Sequence, residues 1–299
     1  MKKYCCLFII LFFVFGCKTD QYNDTKFTLT HQWKKDERHS YKMTYRKEIP
    51  SQKKRGTIPI DIEMYYTFST LMEKRGNILV SLKLDSLVDK TKNGLDGEAK
   101  IYLASYGLDM ILEFDPQSRF IHLENSVKVK QQMIAKMILL VGDQQANAFN
   151  DIDNYEQQNI LESFFLRDFD FLFINYDRTF EVNKTVKKNE QVRAVGTLPS
   201  SQIETIIRAK VKNDQYYINK EINTRVDASS RQSDGALYVT DAAVLKGIEK
   251  AVYTNEGVML NGSKSRSNKG GDISIKFKDG SVQSAPNLES TERWTIERI

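Results

Sequence analysis

The chain contains three histidines, His31, His39 and His122, which are its first candidates for metal binding or proton transfer. Two histidines that bind one metal from the same helix lie three or four residues apart, as in the HExxH pattern. His31 and His39 are eight residues apart around a charged turn, and the chain has no HExxH sequence. We therefore expect surface histidines or hydrogen-bonded core histidines, with no metal and no other cofactor.

Serine and lysine residues also occur in an order that could support nucleophilic catalysis. Ser51–Lys54, Ser233–Gly235 and Lys269–Gly271 imitate the SxxK, SDN and KTG elements of penicillin-binding enzymes. That chemistry needs the first serine at the start of a buried helix, where desolvation lowers the pKa of the lysine. Here the segment lies in a charged loop between Pro50 and Pro59, and the chain has no P-loop, GxGxxG or GxSxG sequence. The sequence therefore predicts no catalytic residue and no enzyme.

Cysteine chemistry is concentrated at the N-terminus. Met1-Lys2-Lys3 precedes an apolar run from Tyr4 to Phe15, which is shorter than the ~20 residues of a membrane-spanning helix and typical of a secretory signal peptide. The run ends in Val14-Phe15-Gly16-Cys17, which resembles the lipobox of bacterial lipoproteins. That resemblance implies a signal peptide over residues 1–16 and a diacylglycerol-bearing, acylated Cys17. An ordinary signal peptide and an uncleaved signal anchor are the alternatives.

The lipoprotein hypothesis has consequences for location and charge. Cleavage removes Cys5 and Cys6, so the mature chain would have no cysteine for a disulfide. It also removes two lysines, which changes 44 basic and 39 acidic residues, a net charge of +5, to 42 and 39, a net charge of +3. We therefore expect a membrane anchor through Cys17, no nucleic-acid partner and a place in the cell envelope. Lys18 follows the cysteine where aspartate is associated with inner-membrane retention, which favours the outer membrane over the inner one.

Residues 17–26 form a polar tether, and strand-like alternation of apolar residues begins at Phe27. The first β-block, 27–124, includes two long alternating runs on either side of a Glu73-Lys74-Arg75-Gly76 hairpin turn. The other segments that we interpret as strands in this block are 41–45, 101–103, 110–114 and 120–123.

A helical block is predicted over 126–167, with Ser126 as the N-cap of its first helix and Asp153 as the start of its second. Val127, Lys130, Ile134, Met137, Ile138 and Val141 keep helical spacing, and we expect Ile134, Ile138 and Val141 to face inward onto the apolar side of the sheet. A second β-block covers 171–299. Asp241–Val252 is compatible with either a helix or a strand, and Gly262–Gly271 reads as a flexible loop.

The order of elements predicts one α+β domain over 27–299: a curved antiparallel, half-barrel-like sheet with helices packed on its concave face. It resembles the half-barrel carriers of lipoprotein sorting and the mycobacterial lipoprotein carriers. It is also similar to uncharacterised lipoproteins of Bacteroidota. The segments that carry the likeness are Tyr41-Lys42-Met43, Phe114-Asp115-Pro116 and Lys269-Gly270-Gly271.

Hydrophobic residues make up 40% of the chain and charged residues 28%, which excludes intrinsic disorder. Our first hypothesis is a non-enzymatic lipoprotein that binds an apolar ligand or an envelope protein. The second is a structural or assembly lipoprotein without a cavity, and the third is a hydrolase with an unrecognised site. Under the first hypothesis, the residues that line the ligand are Ile134, Met137, Ile138, Val141, Phe164 and Phe165.

Overall fold

The computed structural model describes residues 26–51, 56–91, 97–141, 173–194, 199–233, 236–285 and 289–299. In chain order the elements are β1 Lys26–Leu29, β2 Arg38–Ser51, β3 Gly56–Lys74, β4 Asn77–Asp89, α1 Gly97–Ser105, β5 Asp109–Phe114, β6 Phe120–Leu123, α2 Ser126–Val141, β7 Arg178–Glu181, β8 Thr185–Val192, β9 Ser201–Lys212, β10 Gln215–Val226, β11 Ser229–Ser233, β12 Ala236–Thr240, β13 Ala243–Thr254, β14 Met259–Gly270, β15 Ile273–Lys276, β16 Val282–Ala285 and β17 Thr291–Arg298. Among the described residues, no helix has the length and apolar character needed to cross a membrane.

The central feature is a curved, open antiparallel sheet of 11 strands in the order β6-β5-β4-β3-β2-β17-β14-β13-β10-β9-β8. The last strand of the chain, β17, pairs with both β2 and β14, and so joins strands from the two predicted β-blocks into one sheet. A two-stranded sheet, β1-β7, and a four-stranded sheet, β11-β12-β15-β16, complete the described strands. The predicted antiparallel sheet is confirmed.

Tight turns set the register of the long hairpins. Arg75 and Gly76 both have positive φ, and Lys74 pairs with Asn77 across them, which is the geometry of a two-residue type I′ turn. Asn213 and Asp214 form the same kind of turn between β9 and β10. The predicted hairpin at Glu73–Gly76 is therefore confirmed.

One face of the central sheet carries Met43, Tyr45, Trp294 and Ile296, and we call it the core face. Strand β3 contributes to it every second residue, each at most 4% exposed: Ile60, Ile62, Met64, Tyr66 and Phe68. The helix α1 packs on this face, where the rings of Tyr102 and Tyr45 lie 6.2 Å apart. The alternation in the sequence thus places a solid core under β2–β5.

The predicted helix at Ser126 is confirmed as α2, but the predicted inward face is partly wrong. Val129 and Met133 are the buried residues of α2 that join the core, whereas Ile134 and Ile138, which we expected to face inward, are only half-buried. Apolar residues occur on every side of this helix, including the exposed Leu139, so their spacing alone did not define the packed face.

Three other segments differ from their sequence interpretation. Ile101–Leu103, read as a strand inside the first β-block, belongs to α1. Asp241–Val252, for which helix and strand were both open, falls largely in β13, and Gly262–Gly271, predicted to be a loop, is mostly β14. These polar strands pair with each other and with β10 and β17, so backbone pairing decides their conformation rather than side-chain pattern.

The second predicted helix, from Asp153 to 167, lies outside the described residues. Phe173, expected in a strand or an extended run, lies in a turn in which the Tyr176 N–H donates to its carbonyl at 2.9 Å. Its ring packs 4.9 Å from that of Phe114, within the core.

Candidate functional site

The core face continues from β2 into the C-terminal half of the sheet, β8–β10, β13 and β14. Tyr45 pairs with Trp294, Trp294 with Lys264, Lys264 with Glu249, and Glu249 with Lys220. Directly paired residues in an antiparallel sheet point to the same side. The register therefore places three charged residues on the same face as the aromatic core.

We call Lys220, Glu249 and Lys264 the charged row. Their exposed fractions are only 3%, 7% and 1%. The Lys220 Nζ lies 3.9 Å from the Glu249 Oε2, and the Lys264 Nζ lies 5.6 Å from the centre of the Trp294 ring. Charges are costly to bury unless they are compensated, and the register places the Glu249 carboxylate between the two lysines.

Beside the charged row, toward the other end of the strands, the core face opens into a groove of about 480 Å³. Strands β10, β13, β14 and β17 line it. The described residues around it are Ile222, Thr224, Leu245, Lys246, Gly247, Glu249, Ser265, Arg266, Ser267, Asn268, Ser290 and Glu292.

Gly247 lies in the row of the groove that contains Ile222 and Arg266. Its missing side chain leaves space, since a Cβ built there would lie 3.6 Å from the Ile222 Cβ, at ordinary contact distance. Ile222 is half-buried and Leu245 is 42% exposed. These three residues make one side of the groove apolar and open.

The opposite side of the groove is polar. The Lys47 Nζ lies 3.1 Å from the Glu292 Oε1, and the Arg266 guanidinium lies 5.9 Å from the centre of the Trp294 ring. The Asn268 Oδ1 accepts hydrogen bonds from the Ser290 backbone N–H, at 2.6 Å, and from the Ser290 hydroxyl, at 2.9 Å. The Ser290 hydroxyl is thus bonded to an amide oxygen on this side of the groove.

We expected six residues to line a ligand, and the three whose side chains the structure describes lie outside the groove. Ile134, Met137 and Ile138 lie half-buried on α2, which packs against α1 and β5, and none of them lines the groove. Val141 ends α2, but its side chain lies outside the described residues, as do Phe164, Phe165 and the proposed lipidation residue Cys17.

Sequence reasoning missed the groove because its strands were not all recognised as strands. One signal was present: a glycine inside a strand weakens the strand and often marks a site of close approach. Gly247 is such a residue, but it lies in Asp241–Val252, a segment that the sequence did not assign to a helix or to a strand. The charged row could not be identified, because alternation does not tell which side of a polar strand is buried.

The sequence matches no family model and no curated protein. Among solved structures, the chain is similar to a lipovitellin structure concerned with lipid–protein interactions, with a TM-score of 0.41 and 9% identity, over 88% of this chain and 25% of lipovitellin. The chain therefore spans a quarter of that protein.

Two other similar structures are membrane proteins. The outer membrane protein OmpT of Vibrio cholerae matches with a TM-score of 0.24 and 7% identity, over 89% of this chain and all of the other. A porin of Rh. blastica matches with a TM-score of 0.21 and 6% identity, over 88% and 99%. These scores are too low to support an argument, so the proposals that follow depend on the geometry and sequence of this chain.

Proposed function

We propose that this protein is a membrane-anchored, non-enzymatic lipoprotein of the cell envelope that binds an apolar ligand in the groove beside the charged row. One observation carries the binding proposal: the core face is filled with side chains under β2–β5 but leaves about 480 Å³ open over β10, β13, β14 and β17. Ligand pockets are typically concave spaces of ~300–1,000 Å³ with apolar walls and a few polar groups.

The two sides of the groove suit an amphiphile such as a fatty acid. Its chain would cover Ile222 and Leu245, and burial of apolar surface stabilises binding by ~25 cal/mol per Å². Its polar end would lie toward Asn268 and Arg266, which line the polar side of the groove. A small acyl chain fits better than a protein segment, since the groove is only a few side chains long.

Filling the groove tests this proposal. A Gly247→Leu substitution adds a side chain at a position whose Cβ meets only ordinary contacts, so the fold should tolerate it. We expect the affinity for a fluorescent fatty acid to fall at least tenfold while the melting temperature stays the same or rises, because leucine also favours the strand over glycine. Titration of purified protein followed by a thermal melt measures both quantities.

Lys250→Leu is the matched control. Lys250 lies on β13 as well, is exposed, and pairs with Asn219 and Ser263 on the opposite face of the sheet. It should leave probe affinity unchanged. Wild-type protein that does not bind the probe, or Gly247→Leu protein that binds it normally, would refute the proposed groove function.

The anchor is tested separately, because the lipobox-like sequence rather than the groove supports it. Cys17→Ser removes the residue that would carry the acyl chains. Because stable anchoring requires two or more such chains, the variant should move from the membrane pellet to the soluble fraction. Persistence of the variant in the pellet after cleavage of its signal peptide and a high-salt wash would contradict the lipid anchor.

The alternative of an assembly protein that uses its sheet edge has less support. The edge strand β8 is exposed along most of its length, but it carries Lys187, Lys188 and Glu190. Charged side chains on an edge strand discourage pairing with another chain.

A further inference from the structure

A second cluster lies far from the groove in the sequence, on the segment between β1 and β2 and the start of β2. The His39 Nε2 lies 2.7 Å from the Glu37 Oε1, and the His31 Nε2 lies 3.4 Å from the Glu37 Oε2. The three ligand atoms, one from each residue, are all within 4.8 Å of one another. Both histidines are buried, with His31 5% and His39 7% exposed. His31 and His39 are therefore core residues, one of the two placements that the sequence predicted for the histidines.

The backbone around His31 is held by the turn that contains Gly257. A Cβ at Gly257 would lie 2.0 Å from the Thr30 carbonyl oxygen, and φ there is +84°, so only glycine allows this approach. The Gln32 N–H donates to the Glu256 carbonyl at 3.2 Å, and the Tyr176 hydroxyl donates to the Gly257 carbonyl at 2.9 Å.

Contacts on the other side fix the orientation of the His31 ring. The Ser118 hydroxyl donates to the His31 carbonyl at 2.9 Å and accepts from the Trp33 indole N–H at 3.1 Å. The Trp33 ring meets the His31 ring edge-on, with centroids 4.0 Å apart. The imidazole is therefore preorganised by packing.

Glu37 is positioned as firmly as the two histidines. Its Oε2 accepts a hydrogen bond from the Lys34 N–H at 3.1 Å, and its carbonyl accepts one from the Thr70 N–H at 2.9 Å. These two hydrogen bonds hold the Glu37 carboxylate between the two imidazoles.

The histidines have unused bonding capacity. Neither ring nitrogen of His31, nor the Nδ1 of His39, makes a hydrogen bond to a described residue, although all three atoms are buried. A buried polar group without a partner costs ~1–3 kcal/mol and calls for an explanation.

We infer that His31, Glu37 and His39 bind a divalent transition-metal ion of the zinc class. Metal–ligand distances of about 2.0–2.1 Å place the ligand atoms of a tetrahedral site roughly 3.3 Å apart. The 3.4 Å between the His31 Nε2 and the Glu37 Oε2 fits this value, and the 2.7 Å between the His39 Nε2 and the Glu37 Oε1 must widen by about 0.6 Å when a metal replaces their hydrogen bond. Two imidazoles and one carboxylate are a donor set that suits zinc and similar ions.

The fourth coordination position would face a small cavity of about 20 Å³ next to the histidines. This is enough space for one water molecule. Its other walls are Trp33, Tyr41, Phe68, Phe173, Tyr176 and Met259. A site with three protein ligands and one water would join the β1–β2 segment to the core.

A similar trio provides an internal control. Glu113, His122 and Glu124 also place ligand atoms within 4.8 Å of one another. However, Lys74 contacts the Glu124 carboxylate and the Asn77 side chain donates to Glu113 at 2.5 Å. The His122 side chain is also 39% exposed. The Lys74 ammonium already compensates the Glu124 carboxylate in this trio. We therefore expect the trio to bind the metal weakly or not at all.

The test is titration of the full chain, freed of metal by a chelator, with Co²⁺ as the probe. We expect one equivalent of Co²⁺ to give visible tetrahedral absorption and to quench the fluorescence of Trp33. His39→Gln should lower the affinity at least tenfold, and His122→Gln should leave it unchanged. Trp33→Phe should retain the absorption and lose most of the quenching, which separates this site from Trp294.

Absence of absorption and quenching at millimolar Co²⁺ would overturn the inference, as would loss of binding in His122→Gln but not in His39→Gln. If far-ultraviolet circular dichroism shows that His39→Gln is unfolded, Glu37→Gln replaces it. That variant keeps the size of the side chain and should also lower the affinity at least tenfold, and unchanged affinity would count against the site.

Discussion

The two halves of the central sheet differ in the charge that their core face buries. In the N-terminal half, β2–β6, the core face is mostly apolar, and a buried carboxylate with its cations, Glu63, Lys42 and Lys90, lies on the other face. In the C-terminal half, the core face itself contains the charged row and the groove. The N-terminal half is built like the core of a stable domain, whereas the C-terminal half leaves polar groups and open space where a ligand could be bound.

The largest predicted difference concerns matched isoleucines on the core face. Ile62→Ala in β3, where the side chain is fully buried, should lower the free energy of unfolding by ~2–5 kcal/mol. Ile222→Ala in β10, beside the groove, should cost ~1 kcal/mol or less, because the half-buried side chain has fewer packing partners. Urea denaturation of the two variants measures both values. Equal losses would show that the two halves are packed alike, which would contradict the difference in packing proposed between them.

A substitution in the charged row should have the next largest effect on stability. Glu249→Gln removes the negative charge from between Lys220 and Lys264 and should destabilise the protein by ~3 kcal/mol, as expected when a buried ion pair is broken. Glu221→Gln is the control, since Glu221 pairs with Arg208 on the exposed face of β10 and such pairs contribute ~1 kcal/mol or less. Thermal melts at low and high salt compare them. Similar small effects in both variants would mean that the charged row contributes no more than a surface pair.

The charges on the outer face of the N-terminal half should appear as a pH dependence. The Lys90 ammonium, the Tyr65 hydroxyl and the Lys42 ammonium lower the pKa of Glu63 to about 2. Because this pKa is below that of an unfolded glutamate, the stabilisation is complete above pH ~4.5 and is lost as the pH falls toward 2.

Glu63→Gln should therefore be less stable than the wild type at pH 7, and the difference should disappear near pH 2. Lys90→Met, which removes the largest contribution, should raise the folded-state pKa of Glu63, so that the acid loss is smaller and is complete at a higher pH. Urea midpoints measured from pH 7 to pH 2 test both expectations. A wild type and a Glu63→Gln variant with parallel pH profiles would contradict the assignment.

The sequence was most informative where side chains alternate strongly. The long runs of β3 and β4 and the Arg75–Gly76 turn could be predicted, because one apolar face and a turn with two positive φ angles specify a hairpin. It was least informative in α1, β13 and β14. In β14 the run from Gly262 to Gly270 is mostly small and polar, and only pairing with β13 and β17 makes it a strand.

The candidate sites were predicted less well than the fold. His31 and His39 were visible in the sequence, but their distance along the chain argued against a shared site until the turn at Gly257 and the return of the chain through Glu37 brought them together. The groove depends on residues from four strands. Two of them, β14 and β17, are neighbours in the sheet although β15 and β16 separate them along the chain.

By itself, the sequence determined the antiparallel hairpins, the helix at Ser126 and the lipobox-like segment that predicts an anchor at Cys17, because these are local patterns of spacing, turn chemistry and apolar length. Only the tertiary structure decided which side of each polar strand is buried, where the core ends and which histidines meet. Those properties depend on strand register between distant segments, and a shift of one residue would move every side chain to the other face.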